Sequence, residues 1–208
     1  MQAEDMSHQA MGYDRTSIMF SPDGRLLQVE YAKKTAKQGS TVVGLVYRDG
    51  GLILADKRIT EKLIVPESVE KVFQIDEHIG ASTSGILGDG RVLVERAQVI
   101  AQQHRVTYDT PITTETLVKE ISNLKQLYTQ VGGARPFGVS IIFIGMGDRP
   151  HVFVTDPTGI FVEYKATAIG EGDAAVKEML EKQYKENMSF EDATRFAMSA
   201  LKKALDKD

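Results

Sequence analysis

The chain has 208 residues, no cysteine, 42% hydrophobic residues and 26% charged residues. This is ordinary globular composition for one domain, which excludes collagen-like and low-complexity character. The missing thiols exclude disulfides, thiol nucleophiles and zinc–thiolate sites, and the net charge of −4 gives no global pull toward nucleic acid or anionic lipid.

Residues 1–12 are polar and small, with scattered Met and no period, and read as a mobile tail. Glu4 and Asp5 stand where a secretory signal carries positive charge. Ser21-Pro22-Asp23-Gly24 is turn chemistry. The spacing of Leu27, Tyr31 and Lys34 then predicts a helix over Arg25–Lys37, with Gly39 as its C′ residue. Thr41–Tyr47 and Leu52–Ala55 read as strands across an Arg48–Gly51 hairpin turn, and Val72–Ile75 and Ile79–Thr83 repeat the pattern.

After Gly88-Asp89-Gly90 the period becomes helical, and a second helix follows Pro111 through Leu117, Ile121, Leu124 and Tyr128. Gly132-Gly133 ends it. Strands return at Val139–Ile144, His151–Thr155 and Phe161–Tyr164, with Asp156–Gly159 as a type I turn. Helices close the chain near Ala174–Tyr184 and Phe190–Leu205, and Ser189 with Asp192 has the spacing of a capping box. Strands grouped with strands predict antiparallel sheets packed face to face, with helix pairs outside. The aliphatic run Ile141–Ile144 is far short of the ~20 residues that cross a bilayer, so the expectation is a soluble cytoplasmic protein.

Several patterns could carry chemistry. Gly170-Glu171-Gly172-Asp173-Ala174-Ala175 has the G-x-G-x-x-A spacing of a dinucleotide loop. Glu171 and Asp173 would repel a pyrophosphate there, which favours a tight strand-to-helix turn with Asp173 near the N-cap. His8, His78, His104 and His151 lack ligand spacing, so no metal site is expected. Lys33, Lys34 and Lys37 read as a solvated helix face. Gly39-Ser40-Thr41 opens a strand. A hydroxyl residue freed by cleavage after Gly39 would own both nucleophile and α-amino base, with Asp56 and Lys71 as acid and cation. Against this, the preceding residues hold a well-formed turn and helix, which leaves a plain strand start as the other reading.

A set of motifs runs in order along the chain: Gly12-Tyr13-Asp14-Arg15, Phe20-Ser21-Pro22-Asp23-Gly24-Arg25-Leu26, Gln28-Val29-Glu30-Tyr31-Ala32, Gly39-Ser40-Thr41, Ala55-Asp56-Lys57-Arg58, Glu70-Lys71, Gly132-Gly133, Arg135-Pro136-Phe137-Gly138 and Glu163–Gly170. Taken together, these motifs resemble proteasome α subunits of the archaeal type. The resemblance implies an α+β fold, the four-layer αββα sandwich of N-terminal nucleophile hydrolases. It also implies a homo-heptameric, non-catalytic ring that stacks on proteasome β subunits and admits unfolded protein substrates. No cofactor, nucleic acid or membrane is implied.

On the same basis, residues 1–12 are a gate tail and 13–38 the α-type signature and first helix, with 39–208 as the sandwich. Tyr13, Asp14, Arg15, Pro22 and Tyr31 match the gate cluster. Lys71 and Gly39 match the pocket that takes the C-terminus of a ring-shaped activator or regulatory ATPase, and Val131, Gly132 and Gly133 match the narrow annulus. Ser40 and Asp56 are a vestigial site. The family continues past position 208 with a strand pair and a helix, so the chain reads as C-terminally truncated. Gly88-Asp89-Gly90 departs from the family's small apolar residues toward those of β relatives. That keeps open a catalytic β-type peptidase using Ser40 or Thr41 after self-cleavage.

Overall fold

A computed structural model describes Gly12, Thr16 and residues 18–59 and 61–205. Helix α1 (Leu27–Lys37) leads into strands β1 (Val42–Tyr47), β2 (Gly50–Ala55), β3 (Val72–Asp76) and β4 (Ile79–Gly85). Helices α2 (Leu87–Tyr108) and α3 (Thr114–Tyr128) follow. Then come β5 (Val139–Met146), β6 (Pro150–Thr155), β7 (Phe161–Tyr164) and β8 (Ala166–Ile169), and finally α4 (Asp173–Gln183) and α5 (Phe190–Leu205).

The strands form two antiparallel sheets, ordered β2-β1-β8 and β3-β4-β5-β6-β7. The layers follow from which side chains alternate to which face. On β5, Val139, Ile141 and Phe143 join Leu93, Val94, Ala97, Leu117, Val118 and Ile121 under α2 and α3. The alternate residues Ile142 and Ile144 meet Val42, Val152 and Ile169 between the sheets. On β1, Val43 and Leu45 pack against Val176, Leu180, Ala193, Ala197 and Ala200 of α4 and α5. The result is the four-layer α+β sandwich, helices–sheet–sheet–helices. Burying each full Leu, Ile or Phe side chain contributes roughly 1.5–3 kcal/mol.

Where the elements differ from expectation, packing explains the difference. Helix α2 begins at Leu87, so Gly88-Asp89-Gly90 lies inside its first turn rather than before it. A β-carbon on Gly90 would stand 2.9 Å from Thr83 Oγ1, so glycine lets the helix settle on β4. Strand β8 carries no apolar alternation of its own. It forms because β1 offers a free edge, pairing Val42 with Ile169 and Leu45 with Ala166. Only Lys165 separates β7 from β8, so the chain changes sheets within one residue. Half of the expected capping box is present: Asp192 N donates to Ser189 Oγ at 3.2 Å, while the Asp192 carboxylate takes the Ser189 hydroxyl.

Gly39 is the C′ residue after α1, as expected, though its backbone is not left-handed. Gln38 closes α1, and glycine is needed next because a β-carbon there would lie 2.0 Å from Gly85 N. Helix α1 is fixed across the ends of β4 and β5. Leu27, Val29, Ala32 and Ala36 are buried, and Ser84 Oγ donates to Ala36 O at 3.1 Å.

Candidate functional site

The ends of four strands converge behind α1. Ser40 and Thr41 precede β1, Asp56 follows β2, Lys71 precedes β3, and Gly170 and Glu171 follow β8. The fold thus brings Gly39, Ser40, Asp56 and Lys71 into one region, as their sequence pattern predicts. Asp56 N donates to Thr41 O at 2.9 Å, and Glu171 N donates to Gly39 O at 2.8 Å.

The hydroxyl of Thr41 is buried and donates to Glu171 O, which occupies its one proton. Ser40 is half-buried, and its carbonyl lies so close to Gly170 that a β-carbon there would stand at 2.6 Å. The Asp56 carboxylate is buried. Arg58 Nε lies against its Oδ2 without hydrogen-bond geometry, and Arg58 reaches on to Glu171 at 3.4 Å.

Lys71 turns inward. It is 7% exposed and donates from Nζ to Thr83 O at 2.7 Å, while Ser82 Oγ donates to Lys71 O at 2.6 Å. Burial pushes its pKa below the ordinary lysine value, and the nearby Asp56 charge pulls it partly back. An ammonium has three donors, and Thr83 O takes one of them.

Of the positions expected as gate and annulus, those described lie before and on α1 and in the loop after α3. Residues 1–11 of the tail, and Tyr13, Asp14 and Arg15 after it, lie outside the described residues. Ser21 N donates to Arg25 O at 2.9 Å and Gly24 N to Ser21 O at 2.8 Å, which closes the turn carrying exposed Pro22. Tyr31 is half-buried on α1, with Lys34 Nζ 5.6 Å from its ring centre. Lys34 and Lys37 are exposed, and Lys33, 44% exposed, pairs with Asp156 Oδ2 at 3.2 Å, so the solvated face of α1 also touches the turn after β6. Val131, Gly132 and Gly133 are exposed in the loop after α3.

Sequence reasoning did not foresee the partners of Arg135 and Glu171, and it passed over Lys125. Arg135 forms a two-point pair with Asp89 across 46 positions, and its one local signal was the Arg-Pro-Phe-Gly motif. Lys125 sits fully buried on α3, donating to Thr155 O at 3.0 Å. The glycines of the G-x-G-x-x-A motif serve packing: β-carbons would meet Ser40 O at Gly170 and Ala204 at Gly172. His151 lies between Glu163 at 2.8 Å and Asp148 at 3.1 Å, a surface ion cluster the spacing did not reveal. Among the described residues no group of three His, Asp or Glu side chains is placed to hold a metal ion. A cavity of about 630 Å³ opens at the opposite end of the sandwich, beneath the Arg48–Asp49 and Glu77–His78 turns.

The proteasome subunit family matches residues 36–208, and the N-terminal signature of A-type proteasome subunits matches residues 13–34. The chain is 54% identical to the proteasome alpha subunit of Methanosarcina acetivorans over 195 residues, 93% of this chain and 79% of the relative. It is 50% identical to that of Archaeoglobus fulgidus, covering 92% and 78%. To that of Thermococcus sibiricus it is 48% identical, covering 94% and 75%. The N-terminal signature aligns the chain with α subunits and sets aside the β-type alternative.

Proposed function

Because the chain belongs to the proteasome α-subunit family, we propose that it works in the cytoplasm as the non-catalytic wall of the outer ring. Seven copies form a ring that stacks on proteasome β subunits. The ring admits unfolded polypeptide and offers docking pockets to the C-termini of a ring-shaped activator or regulatory ATPase.

The observation that carries this reading is that the segment ahead of Ser40 is part of the folded core. Leu27, Val29, Ala32 and Ala36 are buried, Ala36 O accepts from Ser84, and Gly39 fits against Gly85 with no room to spare. Nucleophile chemistry at Ser40 needs a free α-amine, and that nitrogen is an amide joined to packed structure. A residual Asp56–Lys71 arrangement without that amine has no base for the hydroxyl. Fold alone does not supply the activity.

Symmetry supplies the rest. A ring brings one residue of every copy to a common axis, so residues 1–12 and Val131–Gly133 repeat around the pore as gate and annulus. Tyr13, Asp14, Arg15, Pro22 and Tyr31 hold the tails in the open state. Lys71, with Gly39 lining the backbone side, receives the activator carboxylate as a charge-assisted contact, repeated around the ring by multivalency. The test is peptide hydrolysis by the chain alone and by the chain assembled with β subunits. Cleavage that appears only with the β subunits fits this reading, and cleavage by the chain alone removes it.

A further inference from the structure

Asp89 in the first turn of α2 and Arg135 beyond α3 close a two-point clamp. Arg135 Nη1 donates to Oδ2 and Nη2 to Oδ1, both at 2.7 Å, a fork-to-fork pairing that fixes direction as well as distance. Oδ2 accepts a further bond from Gly138 N at 2.8 Å. Burial alone would raise the pKa of this carboxyl. The Arg135 bonds, the Gly138 N–H and the Arg135 charge outweigh burial and hold it below the usual carboxylate range. Glycine at 138 leaves room for Ile86: a β-carbon there would stand 2.8 Å from Ile86 Cδ1.

The clamp grips one end of the 129–138 segment. Helix α3 holds the other end, where Thr129 Oγ1 donates to Gln126 O at 2.6 Å and Gln130 N to Leu127 O at 2.9 Å. The rings of Tyr128 and Phe137 meet at 4.7 Å between the two anchors. The tip, Val131–Gly133, projects from this base, with one main-chain bond from Ala134 N to Val131 O at 3.3 Å. Gly132 faces Ile18: a β-carbon there would contact Ile18 Cδ1 at 3.7 Å.

We propose that Asp89 and Arg135 are positioning residues that fix the tip of the 131–133 loop and, through Ile18, the root of the N-terminal segment. The proposal rests on the reading of Val131–Gly133 as the pore annulus. With the clamp open, the segment keeps its α3 anchor, the buried Phe137 and the bond from Ile86 N to Gly138 O, and loses the side-chain tie at Arg135 nearest the tip, where Gly133 at φ +83° imposes no side-chain restraint.

The cysteine-free chain allows a direct test. Gly132→Cys introduces one labelling site, and a β-carbon fits there. A nitroxide at that site, read by electron paramagnetic resonance in the full chain, should become markedly more mobile with Asp89→Asn and with Arg135→Ala. Arg135→Ala leaves the buried Asp89 carboxylate with Gly138 N alone, whereas Asp89→Asn keeps the shape and an acceptor for that N–H, so the Asn variant carries the test if the Ala variant fails to fold. Arg91→Ala, which removes only an exposed pair with Glu95 on the same helix, should leave the label unchanged. An immobile label in both clamp variants overturns the positioning role. Unlabelled clamp variants assembled with β subunits should then change the ratio of unfolded-protein to tetrapeptide hydrolysis by about threefold or more. A mobile label with an unchanged ratio upholds the clamp and removes the annulus reading instead.

Discussion

Gly39 and Gly85 approach so closely that a β-carbon built on Gly39 would stand 2.0 Å from the Gly85 nitrogen. This contact joins the end of α1 to the end of β4, and it is why the N-terminal helix is architecture rather than a detachable leader. Gly85 is equally constrained, with φ +122° and a β-carbon position 2.2 Å from Gly138 O. Gly39→Ala is therefore expected to destabilise the chain by about 3 kcal/mol, the upper end of overpacking costs. A urea titration measures this, and an unchanged midpoint would contradict the packing described.

Lys71 is expected to separate activation from assembly. Lys71→Met keeps the aliphatic stem in place and removes the charge, so rings and basal hydrolysis should persist while activator-stimulated hydrolysis falls at least about tenfold. Docking needs the charged ammonium, and burial lowers its pKa. Stimulation should then decline with rising pH before the ordinary lysine value of 10.5 is reached. Stimulation that survives Lys71→Met removes the docking role.

Buried Lys125 makes stability depend on pH. Its pKa is lowered to about 7 by burial, against the opposing pull of the Asp156 charge. The unfolded chain keeps that proton to the ordinary 10.5, so between these values the unfolded state binds more protons and stability rises with pH. Below about 7 both states are protonated and the native state carries the full burial penalty. Lys125→Met should stabilise by on the order of 1–3 kcal/mol in mild acid, with the gain shrinking in alkali. Equal urea midpoints for parent and variant at both ends of this range would refute it.

Removing residues 2–12 should raise basal hydrolysis of a short peptide by assembled particles severalfold, because on the proposed reading these tails occlude the pore. Hydrolysis by the β subunits alone provides the reference. A particle whose basal rate does not move has its gate elsewhere.

Much of the sandwich could be read from local pattern, because β5, α3 and α5 bury faces with the period of their own element. Strand β8 escaped because Ala166–Ile169 is made a strand by β1 rather than by its own alternation. The start of α2 was displaced because Gly88 and Gly90 break helical composition, and Gly90 relieves contact with Thr83. The site divided in the same way. Ser40, Asp56 and Lys71 had recognisable residue types at recognisable spacing, and the fold does gather them. Asp89 and Arg135 could not be paired from sequence, since nothing local links an acid in a helix turn to an arginine 46 positions later. The inward turn of Lys71 toward Thr83 O likewise depends on strand neighbours. No helix among the described residues is long and apolar enough to cross a membrane.

The most direct measurement is the intact mass of the chain recovered from assembled, peptide-hydrolysing particles. The account predicts a species that retains the segment ahead of Ser40, α1 included, and is inactive when separated from the β subunits. A recovered species beginning at Ser40 or Thr41 that cleaves peptides unaided would contradict it.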